Sequence, residues 1–125
     1  MSTAECEPET TGRVKVLLWC RYPENGEPRE IEQLFDRIGD LLRGTPGLLG
    51  SELLVSLSMP GCFAVLSEWA SRAEFEVWEQ GSEHRSLTAG MRPFQDPLRM
   101  PKFDVLLVSR ESDGAWPDGR EVVPP

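Results

Sequence analysis

The chain has 125 residues, a length that suits a single domain, and 39% of them are hydrophobic, enough for a packed core. Its formal net charge is −8, which argues against the basic surface that nucleic acids and anionic membranes require. No apolar run approaches the roughly 18 residues of a membrane-spanning helix. The first stretch, MSTAECEPETTGR, is acidic and polar, unlike a secretory signal. We therefore expect a cytoplasmic protein with no nucleic-acid or membrane partner.

The chain has three cysteines, Cys6, Cys20 and Cys62, and a single histidine, His84. No two cysteines have the spacing of a metal-binding pair, and their odd number suits free thiols in a reducing compartment. One histidine would need distant, mixed ligands to complete a zinc site. The sequence therefore predicts reduced cysteines and no metal.

The first half of the chain predicts a strand, a helix and a second strand. Residues 13–22, RVKVLLWCRY, alternate apolar with mixed positions, which is typical of a half-buried strand. Turn residues occupy 23–28, and REIEQLFDRIGDLLRG (29–44) then has apolar residues at helical spacing. These residues are Ile31, Leu34, Phe35, Ile38, Leu41 and Leu42. Gly44 can supply a left-handed C-cap, Pro46 prevents continuation, and 48–58 predicts the second strand.

The second half predicts a hairpin, a second helix and a fourth strand. A Pro-Gly turn at 60–61 leads into a third strand at 62–69, so 48–69 forms the hairpin. Ser71 and Glu74 have the spacing of a capping box that opens a helix, which Gly81 ends. Ser82 can cap a short further helical piece before a loop at 92–101 and a strand at 102–110. We expect a domain at 13–110 between a disordered tail at 1–12 and a C-terminal tail at 111–125.

The order β-α-β-β-α-β is that of the ferredoxin-like fold. This α+β architecture has a four-stranded antiparallel sheet with its helices on one face. The other sheet face also carries apolar side chains, among them Leu17, Trp19 and Leu54. Exposed apolar faces of this kind usually mark association surfaces. We therefore expect a homodimer that forms through the sheet face.

The stretch SEWASRAEFEVWEQGSEHRSL (67–87) has a strand ending in Glu-Trp, a helix containing F-x-x-W, and then S-E-H-R. It resembles the antibiotic biosynthesis monooxygenase family, as do TPGLLGSELL (45–54) and PKFDVLLV (101–108). The resemblance covers about 13–110 and implies a dimeric α+β barrel. It also implies a cofactor-independent oxygenase of an aromatic polyketide-like molecule, in which the deprotonated substrate itself supplies the electron to O2.

The resemblance places Trp69 at the strand-end tryptophan of the family. The family's oxygenases tend to have an Asn four residues before that Trp and a Tyr six residues after it, where this chain has Val65 and Phe75. A haem-degrading branch has an Asn on its first strand and a His about ten residues after the Trp. This chain has no Asn in 13–22 and has Glu79 in place of that His, so the resemblance implies no haem here. A third branch cyclises polyketides and needs acid–base groups rather than a path for O2. A polyketide cyclase and a non-catalytic ligand-binding or scaffold dimer therefore stay open as alternatives.

The candidate catalytic residues are His84 and Trp69. His84 precedes Leu87 and Met91 by three and seven residues, which puts it on the apolar side of a short helix. A partly buried imidazole with a near-neutral pKa suits proton abstraction from a phenol, although a histidine bonded to a backbone carbonyl would give the same pattern. Trp69 would be a stacking wall for a planar ligand or a core residue. The candidate substrate-binding residues are Phe63, Val65, Phe75, Trp78 and Arg85, with no cofactor.

Several of these residues also have a purely structural interpretation. An aromatic pair at helical spacing, Phe75 and Trp78, is what packing alone requires. Arg85, like Arg92, would hold a ligand phenolate or carboxylate, or pair with acidic groups on the surface. Glu52 and Glu68 lie in predicted strands and would be candidate bases only if they point inward.

Overall fold

The computed structural model describes residues 12–81, 89–99, 101, 103–112 and 114. Its four strands are β1 (Val14–Arg21), β2 (Leu48–Val55), β3 (Cys62–Trp69) and β4 (Phe103–Leu107). Helix α1 spans Pro28–Leu42, helix α2 spans Arg72–Gln80, and a short 3-10 helix spans Ala89–Phe94. Most of both predicted tails, and residues 82–88 of the piece that Ser82 was expected to cap, lie outside the described residues, whereas Met91 at the end of that piece lies in the 3-10 helix.

The strands form one antiparallel sheet with the order β2-β3-β1-β4. In this register Leu18 of β1 lies opposite Val65 of β3 on one side and Phe103 of β4 on the other. The side chains of these three residues therefore share one face of the sheet, because strand side chains alternate between faces. Both helices pack on that face, which confirms the predicted ferredoxin-like α+β fold.

Local sequence signals place the helix ends and the hairpin turn. Ser71 Oγ accepts a hydrogen bond from the Glu74 backbone N–H at 3.1 Å, which confirms that Ser71 caps the start of α2. Gly44 follows α1 with a φ of 90°, as expected for a left-handed cap. At the hairpin turn, the Cys62 N–H donates to the Met59 carbonyl at 3.1 Å, and Gly61 has the positive φ of 87° that a type II turn needs.

Strand β4 is shorter than the predicted 102–110 because it pairs only with the first part of β1, Val14 to Leu18. Further along β1, the chain after the 3-10 helix takes over the pairing. Cys20 forms an isolated bridge with Gln95, and the Trp19 carbonyl accepts from the Asp96 N–H at 3.0 Å. The segment predicted as a loop at 92–101 thus begins inside a 3-10 helix and continues as an extension of the sheet edge.

The core between the helices and the sheet consists of two clusters. The first cluster combines Val14, Val16, Trp69 and Phe75. The second combines Cys20, Ile31, Phe63 and Met91, with partly buried neighbours packed around it. Val16, Trp69 and Phe75 of the first cluster and Met91 of the second line the cavity described below.

The opposite sheet face, which we call the outer face, carries Leu17, Trp19, Leu54, Leu66 and Leu106 by strand alternation. Leu54 and Leu106 are 40% and 45% exposed in the single chain. The Arg99 guanidinium lies 4.3 Å from the centre of the Trp19 ring, in a cation–π contact. Neither described helix combines the length and the hydropathy that crossing a bilayer would require.

The buried thiol of Cys20 makes the free energy of unfolding depend on pH in the alkaline range. Burial, and secondly the negative charge of Asp96, raise the pKa of Cys20 from 9.0 to about 12. Between pH 9 and pH 12 the folded protein keeps the thiol proton, whereas the unfolded chain releases it. The contribution of Cys20 to the free energy of unfolding is therefore complete below pH 9 and is lost as pH rises toward 12. We expect the difference in unfolding free energy between wild type and Cys20→Ala to shrink when urea titrations are moved from neutral pH to about pH 10.5. A difference that stays constant would contradict this account of Cys20.

Candidate functional site

A cavity of about 270 Å³ lies between helix α1 and the sheet. Val16, Leu18 and Val65 form its floor, and side chains of α1, including Phe35 and Ile38, form its roof. Its volume is close to the lower end of the roughly 300–1,000 Å³ of small-molecule sites. Since most of the lining is apolar, the cavity suits a small, largely hydrophobic ligand.

Besides Phe35 in the roof, four aromatic side chains line this cavity, and we call them the aromatic wall: Trp69, Phe75, Trp78 and Phe103. The Trp69 ring centre lies 5.5 Å from that of Phe75 and 5.2 Å from that of Trp78. Phe103, on β4, lies 6.3 Å from Phe75 in an edge-to-face arrangement. Tilted and edge-to-face rings of this kind present both π faces and ring edges, which is what a planar aromatic ligand packs against.

A few polar groups interrupt the apolar lining: Ser51, Ser67, Glu79, Arg92 and Gln95. Ser67 lies between Val65 and Trp69 on the cavity face of β3, and its Oγ accepts a hydrogen bond from Trp69 Nε1 at 3.0 Å. Ser51 of β2 lies directly opposite Ser67 in the strand register. An apolar pocket with a small number of placed polar groups is the usual form of a ligand site.

The structure brings together four of the predicted site residues, Val65, Trp69, Phe75 and Trp78, around the cavity. It places Phe63 elsewhere. That residue is fully buried in the second core cluster, with its ring centre 4.6 Å from that of Tyr22, and does not line the cavity. The predictions for His84 and Arg85 concern positions outside the described residues.

The two carboxylates considered as inward-facing bases, Glu52 and Glu68, belong to the outer face. Glu52 lies opposite Leu66, whereas its neighbour Ser51 lines the cavity, so alternation turns Glu52 away from it. The Glu68 carboxylate forms an ion pair with Arg13 at 2.6 Å. Among the described residues, Glu79 is the carboxylate that lines the cavity.

Sequence reasoning missed Phe103, Ser51 and Glu79 as lining residues. Phe103 reaches the cavity because the register between β4 and β1 places Phe103 opposite Leu18. No local pattern in the sequence specifies this register. For Ser67 a signal was present, since alternation along β3 puts it on the face of Val65 and Trp69.

The sequence profile of the antibiotic biosynthesis monooxygenase family matches residues 21–89, more than half of the chain. The chain is 27% identical over 114 residues to protein SchA of Streptomyces halstedii. It is 30% identical over 105 residues to the 42.8 kDa protein in the whiE locus of Streptomyces coelicolor. These alignments cover 90% and 84% of this chain but 30% and 25% of the two relatives, so the chain spans less than a third of their length.

Among solved structures, the fold is similar to that of SnoaB, a cofactor-independent oxygenase from Streptomyces nogalater. The superposition has a TM-score of 0.58 with 15% sequence identity, and covers 86% of this chain and 99% of SnoaB. At this identity the likeness concerns the fold. Because the family profile matches more than half of the sequence, the protein belongs to the antibiotic biosynthesis monooxygenase family.

Proposed function

We propose that this chain is a cofactor-independent oxygenase that uses O2 to oxidise an aromatic, polyketide-like small molecule in the cavity under helix α1. The observation that carries the proposal is an apolar cavity of about 270 Å³ lined by the aromatic wall. Membership of the family supports it, and so does the fold shared with SnoaB, a cofactor-independent oxygenase.

The proposed reaction needs little from the protein beyond binding and control of one proton. Removing a proton from a phenol or anthrone gives an anion that transfers one electron to O2. The substrate radical and superoxide combine to a peroxide, which loses water, so that an anthrone and one O2 give a quinone and one H2O. The cavity would hold the planar ring away from bulk water, favour the anion and admit O2.

We retain His84 as the proposed proton acceptor, and Glu79 is its competitor because it lines the cavity. Positioned acid–base groups contribute about 100-fold or more to rate, so we expect His84→Gln to lower kcat/KM by about that factor and Glu79→Gln by less than tenfold. Steady-state kinetics with an anthrone substrate measure both effects. Glu76→Gln, on the same helix and paired with Arg72, is the matched control. The opposite ranking would assign the proton to Glu79.

A polyketide cyclase on the same scaffold is the second candidate. Val65 and Phe75, which line the cavity where the family's oxygenases tend to have an Asn and a Tyr, count less against a cyclase than against an oxygenase. A cyclase would need acid–base groups but no O2, and Glu79 would serve such a reaction. The third candidate, a ligand-binding or scaffold dimer, requires only the cavity.

Oxygen uptake distinguishes the three candidates. Chelator-treated protein would be mixed with an anthrone in an oxygen electrode, beside an anaerobic sample analysed for products. O2 consumed in a one-to-one ratio with quinone supports the oxygenase. A new product under nitrogen without O2 uptake supports the cyclase, and binding without any product supports the ligand-binding protein.

We also propose that the chain forms a homodimer through the outer face. Leu54 and Leu106 on this face are 40% and 45% exposed in the single chain, and an exposed apolar face of a small domain usually mediates association. We expect sedimentation equilibrium to give twice the 14.0 kDa of one chain, and Leu66→Arg to give a monomer. A monomeric wild-type protein at micromolar concentration would contradict the proposal.

A further inference from the structure

We propose that the Ser67 hydroxyl, held by the Trp69 indole, donates the hydrogen bond that anchors a substrate oxygen in the cavity. The inference rests on the proposed function, because it takes the cavity to bind an aromatic molecule that carries a hydroxyl, phenolate or carbonyl oxygen. It adds the group that selects an oxygenated ring over a plain hydrocarbon of the same shape.

The position of Ser67 follows from strand alternation and register. Val65, Ser67 and Trp69 share the cavity face of β3, and Ser67 is half-buried between its two apolar neighbours. Ser51 lies directly opposite on the edge strand β2, where its side chain is more exposed. Directly opposed residues have Cβ atoms about 4.5–5.5 Å apart, so the two hydroxyls form one small polar spot in an apolar floor.

The bond from Trp69 gives the Ser67 hydroxyl a direction. An indole N–H can only donate, so in the 3.0 Å contact between Trp69 Nε1 and Ser67 Oγ the serine oxygen is the acceptor. The O–H of Ser67 is then left to donate, and within the described part of the chain no side chain or carbonyl accepts from it. A hydroxyl that already accepts one hydrogen bond is a better donor in the next. Its natural partner in the cavity is therefore an acceptor oxygen of the ligand.

The Ser67 hydroxyl supplies a polar group beside two apolar lining residues. Val65 and Phe75 are apolar, and both line the cavity with Ser67. A donor aimed at a phenolate stabilises the charged form of the ligand relative to the neutral phenol. Ser67 would in this way both orient the substrate and favour the anion on which the proposed oxidation depends.

The test compares Ser67→Thr with Ser67→Val. Both side chains are β-branched, suit a strand and have nearly the same shape, but only threonine keeps the hydroxyl. The probes are 2-naphthol and naphthalene, which differ by one oxygen, and calorimetry gives Kd for each. We expect wild type and Ser67→Thr to bind 2-naphthol about 5- to 20-fold more tightly than Ser67→Val does. The Kd for naphthalene should be the same in all three proteins. Ser51→Val, on the exposed edge strand, should weaken 2-naphthol binding by less than about threefold.

Equal affinity of the Thr and Val variants for 2-naphthol would overturn the inference. So would an equal loss of both probes in Ser67→Val, because Ser67 would then act only by supporting the Trp69 ring. A wild-type protein that binds neither probe would overturn both this inference and the proposed function. If the 2-naphthol difference is present but an anthrone causes no O2 uptake, the oxygenase proposal fails while the role of Ser67 stands.

Discussion

Replacing Trp69 by alanine should lower the free energy of unfolding by about 3–5 kcal/mol, the largest loss that we expect from any single substitution in this chain. The Trp69 side chain is 1% exposed and contacts two other members of the aromatic wall, Phe75 and Trp78. Its removal takes away those contacts and the hydrogen bond to Ser67. The rigid sheet cannot close the void, which would merge with the existing cavity.

Urea unfolding followed by far-UV circular dichroism measures this loss without relying on the deleted fluorophore. Val77→Ala is the matched control, because Val77 lies on α2 near the same cluster but is 75% exposed, and should change stability by no more than about 0.5 kcal/mol. A loss below about 1 kcal/mol for Trp69→Ala would show that Trp69 is not part of the core, contrary to its burial.

Replacing Gly39 by leucine should weaken binding of 2-naphthol by more than tenfold while leaving the fold intact. Gly39 lies inside α1 and lines the cavity, and a Cβ atom built on it meets no other atom within 4 Å. Positions 35, 38, 39 and 42 all line the cavity, so a leucine at 39 would extend into the volume that the ligand needs. Glycine inside a helix costs about 0.5–1 kcal/mol relative to alanine, so the substitution should also raise stability.

Gly39→Ala is the matched control for this prediction. It gives most of the same gain in helix stability but adds only one carbon, so 2-naphthol should still bind. Calorimetric titration measures affinity, and thermal unfolding of each variant checks that the helix has formed. If Gly39→Leu bound 2-naphthol as tightly as wild type, the ligand site would lie outside the cavity under α1.

Topology and local capping were predictable from the sequence because each depends on residues close together in the chain. The apolar spacing of Ile31 and Leu34 predicts helix α1, and the spacing of Ser71 and Glu74 predicts the start of helix α2. Alternation along β3 places Val65 on the same sheet face as Trp69. These local signals, taken in order, define the ferredoxin-like fold and most of one side of the cavity.

The rest of the site depends on long-range geometry that no local pattern encodes. The pairing of β2 with β3 shifts between Leu48 and Gly50, and this bulge changes which alternate residues of β2 face the helices. Leu48 before the bulge and Ser51 after it both line the cavity, which simple alternation forbids for positions three apart. The inward Ser51 and the outward Glu52 were therefore not predictable from the sequence.

We propose that the cavity under α1 is the place where O2 oxidises an aromatic substrate. The most direct test measures O2 uptake with 1,8-dihydroxyanthrone for wild type, Gly39→Ala and Gly39→Leu, each corrected for oxidation in buffer. We predict that wild type and Gly39→Ala consume one O2 for each quinone formed. Gly39→Leu should lose at least nine-tenths of the rate, because a site that binds substrate tenfold more weakly has a tenth of the rate at low substrate concentration. The same rate in all three proteins, or none above buffer, would contradict it.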